Sequence, residues 1–216
     1  MRERLKALAR GAATVVVAPA LLSYRIRAAI LGRDRALEGS TQALSLAPGL
    51  LGQYLRRAFL SRVLAECHRS SVVEFGTIFS SADARLEENA YVGPGCQLGL
   101  VHIGRNVLLA GGVKIPSGGK SHGTFDMDVP IRDQPGLPVL VRIGAGSWIG
   151  SGAVVMADVG HDTIVGAGAV VTRALPDRVM AAGVPARVIR RRDAGATRAH
   201  VSSSSPLDKA ADRHRP

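Results

Sequence analysis

A mainly β fold, a parallel β-helix with three short strands per turn, is what this 216-residue sequence predicts, and three observations carry the prediction. Aliphatic residues recur at a step of six in four triplets: Leu86, Val92, Leu98; Ile103, Leu109, Ile115; Ile143, Ile149, Val155; and Val159, Val165, Val171. The residue after the aliphatic is glycine at 93, 99, 104, 144, 150, 160 and 166, seven of the twelve, although only 25 of 216 residues are glycine. Aromatic residues make up only 4% of the chain, which suits an interior of small branched side chains laid in layers. Three hexads make one 18-residue coil, and a fixed period is the mark of a solenoid. The four triplets predict four full coils, with partial coils before Leu86 and after Val171. The small residue after each aliphatic is expected where the chain bends sharply at a corner.

Ahead of the solenoid, residues 1–70 read as an apolar and basic helical segment. They hold 12 Lys/Arg against 4 Asp/Glu, whereas residues 71–186 sum to −2, so the net charge of +11 is local. Arg2, Arg4, Lys6 and Arg10 precede the apolar run from Gly11 to Tyr24, and Arg25 and Arg27 follow it. Fourteen residues interrupted by Pro19 are short for a span of about 20, yet long enough to lie in a membrane interface. An anionic surface attracts such flanks at roughly 1 kcal/mol per Lys/Arg. A second run, Leu44 to Leu64, fits the same surface with Arg56, Arg57 and Arg62 as contacts. Packing of both runs on the protein itself, or on a partner subunit, is the equal alternative. A basic start before an apolar run with Ala18-Pro19-Ala20 also resembles a cleavable signal.

The solenoid is expected over 71–192, and its period breaks once, at an excursion over 116–142. That stretch carries Gly118-Gly119, Pro130, Pro135-Gly136 and Pro138 together with Lys120, His122, Asp126, Asp128, Arg132 and Asp133. A long loop thrown out of a compressed solenoid is the place to look for chemistry. Residues 193–216, with Ser202 to Ser205 and little apolar content, read as a disordered tail. Cys67 and Cys96 match neither a disulfide framework nor a CxxC spacing, which fits a reducing compartment. Basic residues are not spread along a folded face with stacking aromatics, so no nucleic-acid role is expected.

Three stretches carry a resemblance: Ile143-Gly-x3-Trp148-Ile149-Gly150-x-Gly152-Ala153; Val165-Gly166-Ala167-Gly168-Ala169-Val170-Val171-Thr172-Arg173; and Ala182-Gly183-Val184-Pro185-Ala186-Arg187-Val188-Ile189. In this order they resemble the hexapeptide-repeat acyltransferases, above all the galactoside, maltose and nodulation-factor O-acetyltransferases and their exopolysaccharide-modifying relatives. The resemblance implies a left-handed parallel β-helix, where the general crossover rule would favour the right-handed form. It also implies a homotrimer with acetyl-CoA between adjacent subunits, as a donor substrate and without a metal.

Carried over by position, the resemblance makes His122 the general base that takes the proton of an acceptor hydroxyl as it attacks the thioester, with direct transfer in a ternary complex. Imidazole suits this because its ordinary pKa, about 6.5, leaves it largely neutral near pH 7. Trp148 and Ser151 are expected near the thioester and pantetheine end, and Ala167 along the pantetheine arm. Thr172, Arg173, Arg187 and Arg190 are expected at the nucleotide and its phosphates, where a guanidinium fork binds oxygens in pairs. Asp126 and Asp128 are candidates to orient His122 or to hold an acceptor hydroxyl. The sequence departs from the family in the four-residue step from Val155 to Val159 and in Gly123 after His122.

Three functions remain to be weighed. The first is acetyl transfer from acetyl-CoA to a saccharide or lipid-linked saccharide, by a cytoplasmic protein resting on the inner membrane face. A serine-type small-molecule acceptor is a variant of it. The second is a zinc lyase of the carbonic anhydrase type, which needs converging imidazoles. His68, His102, His122, His161, His200 and His214 lack the spacing for it, and His102 and His161 read as solvated solenoid turns. The third is a non-catalytic scaffold of a membrane complex. Acetyl-CoA as donor argues against export, and so against the signal-peptide reading.

Overall fold

The computed structural model describes residues 10–192. Six coils stack into a three-sided prism. The first holds β1 (Glu66–Cys67), β2 (Val72–Val73) and β3 (Ile78–Phe79), and the second β4 (Arg85–Leu86), β5 (Tyr91–Val92) and β6 (Gln97–Leu98). The third holds β7 (Val101–Ile103), β8 (Leu108–Leu109) and β9 (Lys114–Ile115), and the fourth β10 (Val141–Ile143), β11 (Trp148–Ile149) and β12 (Val154–Val155). The fifth holds β13 (Ile164–Val165) and β14 (Val170–Val171), and the sixth β15 (Val179–Ala182). A last strand, β16 (Arg187–Arg191), turns back antiparallel on β15.

Each of the first five coils contributes one rung to each face, and the sixth contributes to the first and second faces only. The first face is β1-β4-β7-β10, continued by parallel bridges at Val159 and Leu175. The second runs from β2 through β5, β8, β11, β13 and β15 to β16, and the third is β3-β6-β9-β12-β14. All twelve aliphatics of the four triplets point inward and are buried. Of the two expected partial coils, the one before Leu86 is a complete coil, whereas the one after Val171 is partial, with rungs on the first and second faces only. Cys67, Val73 and Phe79 keep a step of six within the first coil, with seven residues from Phe79 to Leu86, and Leu175, Ala181 and Ala186 close the top. The solenoid therefore starts at Glu66, inside the segment assigned to the N-terminal extension. The tail expected over 193–216 lies outside the described residues.

The repeating glycines have a different cause from the one expected. The left-handed conformation sits two residues further on, at Gly95, Gly112, Gly152 and Gly168. The glycine directly after the aliphatic is needed because the next coil's backbone lies against it. A Cβ on Gly150 would come within 2.5 Å of the Ala167 nitrogen, and one on Gly144 within 2.5 Å of the His161 nitrogen. Gly150→Ala should therefore cost on the order of 3 kcal/mol, since a neighbouring backbone must move. Gly152→Ala has open space and only the positive φ to overcome, about 1–2 kcal/mol. Thermal unfolding of the two variants tests this; equal shifts would refute the stacking account.

The N-terminal helices close the open end of the prism. They are α1 (Arg10–Val16), α2 (Ala18–Leu31), α3 (Arg33–Ser45) and α4 (Gly49–Val63). α4 buries Gly52, Arg56, Phe59, Leu60 and Val63 at helical spacing, and α3 buries Ala36, Leu37, Ser40 and Thr41. Both stripes cover the first coil, whose apolar end would otherwise face water. Backbone groups are tied across the junction: Thr41 Oγ1 accepts the Phe79 N–H at 3.2 Å, Asp34 Oδ1 the Ala82 N–H at 2.8 Å, and the Ser45 carbonyl the Gly76 N–H at 3.0 Å.

Two expectations for the basic residues fail here. Arg56, expected as a membrane contact, is 3% exposed and donates to the carbonyls of Val73 (2.9 Å), Ala47 (2.6 Å) and Leu44 (3.2 Å). Burial pushes its pKa down, against the opposing pull of Glu74. Arg27 is likewise turned inward, donating to Ser40 Oγ at 2.7 Å. Helical spacing alone cannot show whether an arginine on an apolar stripe reaches water or orphan carbonyls.

The two readings of the apolar run divide by face. Ala13, Val17 and Tyr24 are buried, with the Tyr24 ring edge-on to Phe59 at 5.8 Å. Leu22, Ile26 and Ile30, one turn apart, are exposed on the opposite side with Val15 and Val16. Among the described residues no single helix is long and apolar enough to cross a membrane. α1 and α2, bent by 50° where Pro19 enters the first turn of α2, pass that test only as a pair.

Candidate active site

The excursion leaves the corner between the third and first faces after β9 and re-enters at β10. Its two arms run together, with the Val139 N–H donating to the Ser117 carbonyl at 2.8 Å and the Leu137 N–H to the Lys120 carbonyl at 2.7 Å. Gln134 is the buried staple of the tip. Its Oε1 accepts from the Phe125 and Asp126 N–H groups at 3.1 Å each, and its Nε2 donates to the carbonyls of Asp126 (2.6 Å) and Val129 (2.8 Å). Gly123 and Gly136 lie where the arms touch. A Cβ on Gly123 would come within 2.7 Å of the Pro135 carbonyl oxygen, and one on Gly136 within 2.0 Å of that of Ser121. The departure from the family at Gly123 is thus a requirement of this loop's own fold.

The loop holds His122 over the third face, at a groove of about 660 Å³. Gln97 and Lys114, outward residues of β6 and β9, form its floor, Ser117 and Ser121 its loop side, and Glu38 and Gln42 of α3 the far wall. The His122 side chain is exposed, and neither ring nitrogen has a hydrogen bond among the described residues. Neither Asp126 nor Asp128 orients it. Asp126 Oδ1 instead accepts the Asp128 N–H at 2.9 Å in a local turn. A freely placed imidazole beside serine, amide, ammonium and carboxylate groups is an arrangement suited to accepting a proton from a bound hydroxyl.

The residues expected at the donor lie elsewhere on the same chain. Trp148 is 49% exposed on the second face, in register with Leu108 and Ile164. Val72, Tyr91, Leu108, Trp148, Ile164 and Met180 form one outward column there, half-buried or exposed and apolar throughout. Ser151 and Ala167 are stacked one coil apart at the corner of the second and third faces, where the Gly168 N–H donates to the Ser151 carbonyl at 2.8 Å. Thr172 and Arg173 are exposed at the corner from which the excursion also leaves, two coils lower. Arg187 and Arg190 are exposed on β16, paired with Ala182 and Met180. The four-residue step from Val155 to Val159, repeated from Val171 to Leu175, shortens only the first face, so Trp148↔Ile164 and Val154↔Val170 keep register.

Other solenoid histidines have structural partners. His102 is an outward residue of strand β7, not of a turn as expected, and its Nε2 lies 2.7 Å from Glu87 Oε1. That hydrogen bond holds the Glu87 carboxyl below the usual carboxylate range. His161 does occupy a turn, where Nδ1 accepts the Ala145 N–H at 3.1 Å. Among the described residues no group of three or more His, Cys, Asp or Glu could hold a metal ion.

The galactoside O-acetyltransferase of Escherichia coli K12 is 30% identical to this chain over 168 residues, an alignment covering 66% of this chain and 80% of that enzyme. The chain belongs to the hexapeptide-repeat acyltransferase family. The fold of this hexapeptide-repeat acyltransferase is accordingly the left-handed parallel β-helix, and it is a CoA-dependent O-acetyltransferase with acetyl-CoA as donor substrate. A second E. coli K12 relative, named as a lipopolysaccharide biosynthesis O-acetyl transferase, WbbJ, is 29% identical over 54% of this chain and 61% of its own length. Among solved structures, a maltose O-acetyltransferase from Clostridium difficile 630 superposes with a TM-score of 0.64 at 22% identity, over 74% of this acyltransferase and 88% of that chain. Galactoside acetyltransferase in complex with coenzyme A superposes with a TM-score of 0.58 at 24% identity, over 80% and 82%. No family model matches the chain.

The sequence pointed to His122 but missed the groove around it. Gln97 and Lys114 carried a signal, since each precedes an inward aliphatic of its hexad and so faces outward. Glu38 and Gln42 carried none, because nothing in a helical pattern says which solenoid face it will overhang.

Proposed function

We propose that this acetyltransferase moves the acetyl group of acetyl-CoA to a hydroxyl of a saccharide, with His122 as general base and direct transfer in a ternary complex. The observation that carries the reading is the groove at His122, whose wall of Glu38, Gln42, Gln97, Ser117 and Ser121 offers the dense hydrogen-bonding that a polyol needs. The names of the galactoside, maltose and lipopolysaccharide relatives point the same way. His122 deprotonates the hydroxyl, the oxygen attacks the thioester carbonyl, and CoA leaves as the thiol.

The active enzyme in this reading is a homotrimer. His122 on the third face and Trp148 on the second belong to one donor cleft only if different subunits supply them. The apolar column around Trp148 is the kind of surface that a second subunit buries. Ser151 and Ala167 then flank the pantetheine arm, and Thr172, Arg173, Arg187 and Arg190 meet the nucleotide phosphates.

The protein rests on the inner face of the cytoplasmic membrane, where lipid-linked saccharides are the acceptors. Leu22, Ile26 and Ile30 supply the apolar contact, and basic residues of the first 70 other than the inward-turned Arg27 and Arg56 supply the charge.

Thiol release from acetyl-CoA, followed across a panel of saccharides, serine and simple alcohols with product masses measured, tests the acceptor class. A saccharide product heavier by one acetyl group is expected; a preference for serine would replace the saccharide with a small amino acid.

A further inference from the structure

Away from the groove, a pocket of about 160 Å³ opens where the helical cap meets the first coil. Four arginines from three elements line it: Arg10 of α1, Arg57 and Arg62 of α4, and Arg69 from the turn after β1. Among the described residues no Asp or Glu lines it, and no ion pair involves any of the four. The Arg10 Nε is buried and has no hydrogen-bond partner among the described residues.

The pocket is built to keep these charges together. Arg62 donates to the Ala58 carbonyl at 2.7 Å and to Thr14 Oγ1 at 3.2 Å, and Thr14 Oγ1 in turn donates to the Arg10 carbonyl at 3.0 Å. Arg57 is held with its guanidinium carbon 4.9 Å from the Tyr54 ring centroid. Burial, then the like charge of Arg10, lowers the Arg57 pKa. The Cys67 thiol at the pocket is pushed up to about 12, chiefly by burial, so it adds no negative charge of its own. Four gathered guanidiniums with no carboxylate among the described lining residues repel one another, and a multivalent oxyanion removes that repulsion while forming charge-assisted hydrogen bonds.

We infer that the pocket of Arg10, Arg57, Arg62 and Arg69 binds a phosphate group, at a site separate from the acyl-transfer groove. The exposed Val15 and Val16, next to Thr14 at the rim, would suit the phosphate of a membrane lipid. A phosphate ester or diphosphate in solution offers the same chemistry. The inference does not rest on the acyl-transfer reading, and its failure would leave that reading untouched.

Calorimetric titration of the full chain with inorganic pyrophosphate is the first test, on the wild type and on the Arg57→Gln/Arg69→Gln variant. Binding should weaken by about tenfold or more in the variant, as loss of charge-assisted bonds requires. Co-sedimentation with phosphatidylcholine vesicles, with and without phosphatidylglycerol, separates the sources. Retention on the anionic vesicles that is lost in the variant and displaced by pyrophosphate assigns the site to a lipid phosphate. Pyrophosphate binding without a vesicle difference assigns it to a soluble phosphate. If the wild type binds neither probe, or the variant binds both equally, the site does not exist. Unfolding curves check the variant's fold, and Arg69→Gln alone, at an exposed position, replaces it should the double change destabilise. Acetyl-transfer turnover is expected to be the same in all of them.

Discussion

His122→Ala should lower turnover by about 10² to 10⁴-fold, the usual contribution of a positioned general base. The imidazole stands exposed over the groove with no hydrogen bond among the described residues, so its removal orphans no partner. Thermal stability should stay within about 0.5 kcal/mol of the wild type, as for an exposed residue free of structural ties. The donor-side residues are untouched, so KM for acetyl-CoA should hold while kcat and kcat/KM fall together, the pattern of an interaction made in the transition state. Asp126→Asn, by contrast, removes only a charge from a local turn, since the amide oxygen still accepts the Asp128 N–H, and should change turnover far less. Steady-state kinetics with the acceptor found in the panel decides it. Unchanged turnover in His122→Ala would take the residue out of the mechanism.

Arg56→Met should destabilise the protein by about 3 kcal/mol, a change visible in denaturant unfolding. The Arg56 side chain satisfies three carbonyls, those of Leu44 and Ala47 at the end of α3 and that of Val73 in the first coil. The Leu44 carbonyl keeps the Ala47 N–H at 3.3 Å, and leaving the other two without a donor costs about 1–3 kcal/mol each. Part of that is offset, because the substitution also removes a desolvated cation whose Nη2 has no partner. Lysine does not substitute well, having a single ammonium in place of a planar fork. Arg25→Met, at an exposed site, is the control and should shift stability by no more than about 0.5 kcal/mol. Equal effects in the two variants would mean that Arg56 does not join the cap to the coil.

The solenoid was legible because a repeat writes its geometry into the sequence many times over. Leu86, Val92 and Leu98 fall on three different faces of one coil, and the same three columns are filled again at 103, 109 and 115. The end coils were less legible. Cys67 replaces the aliphatic in one, and the step of six shortens from Ala181 to Ala186 in the other. His122 could be singled out because an excursion from so regular a pattern is conspicuous. The groove beneath it could not, since Glu38 and Gln42 enter it from a helix some 80 residues earlier in the chain.

Local periodicity and chemistry, then, were enough to set the architecture, the inward residues and the loop that carries the base, since those depend on interactions that every coil repeats. Which arginines face water and which hold carbonyls, why one glycine is packed against a backbone while another two residues on adopts a positive φ, and which helix overhangs His122 were decided by the tertiary structure alone. These features come from single contacts between distant segments, and a contact made once leaves no period in the sequence to read.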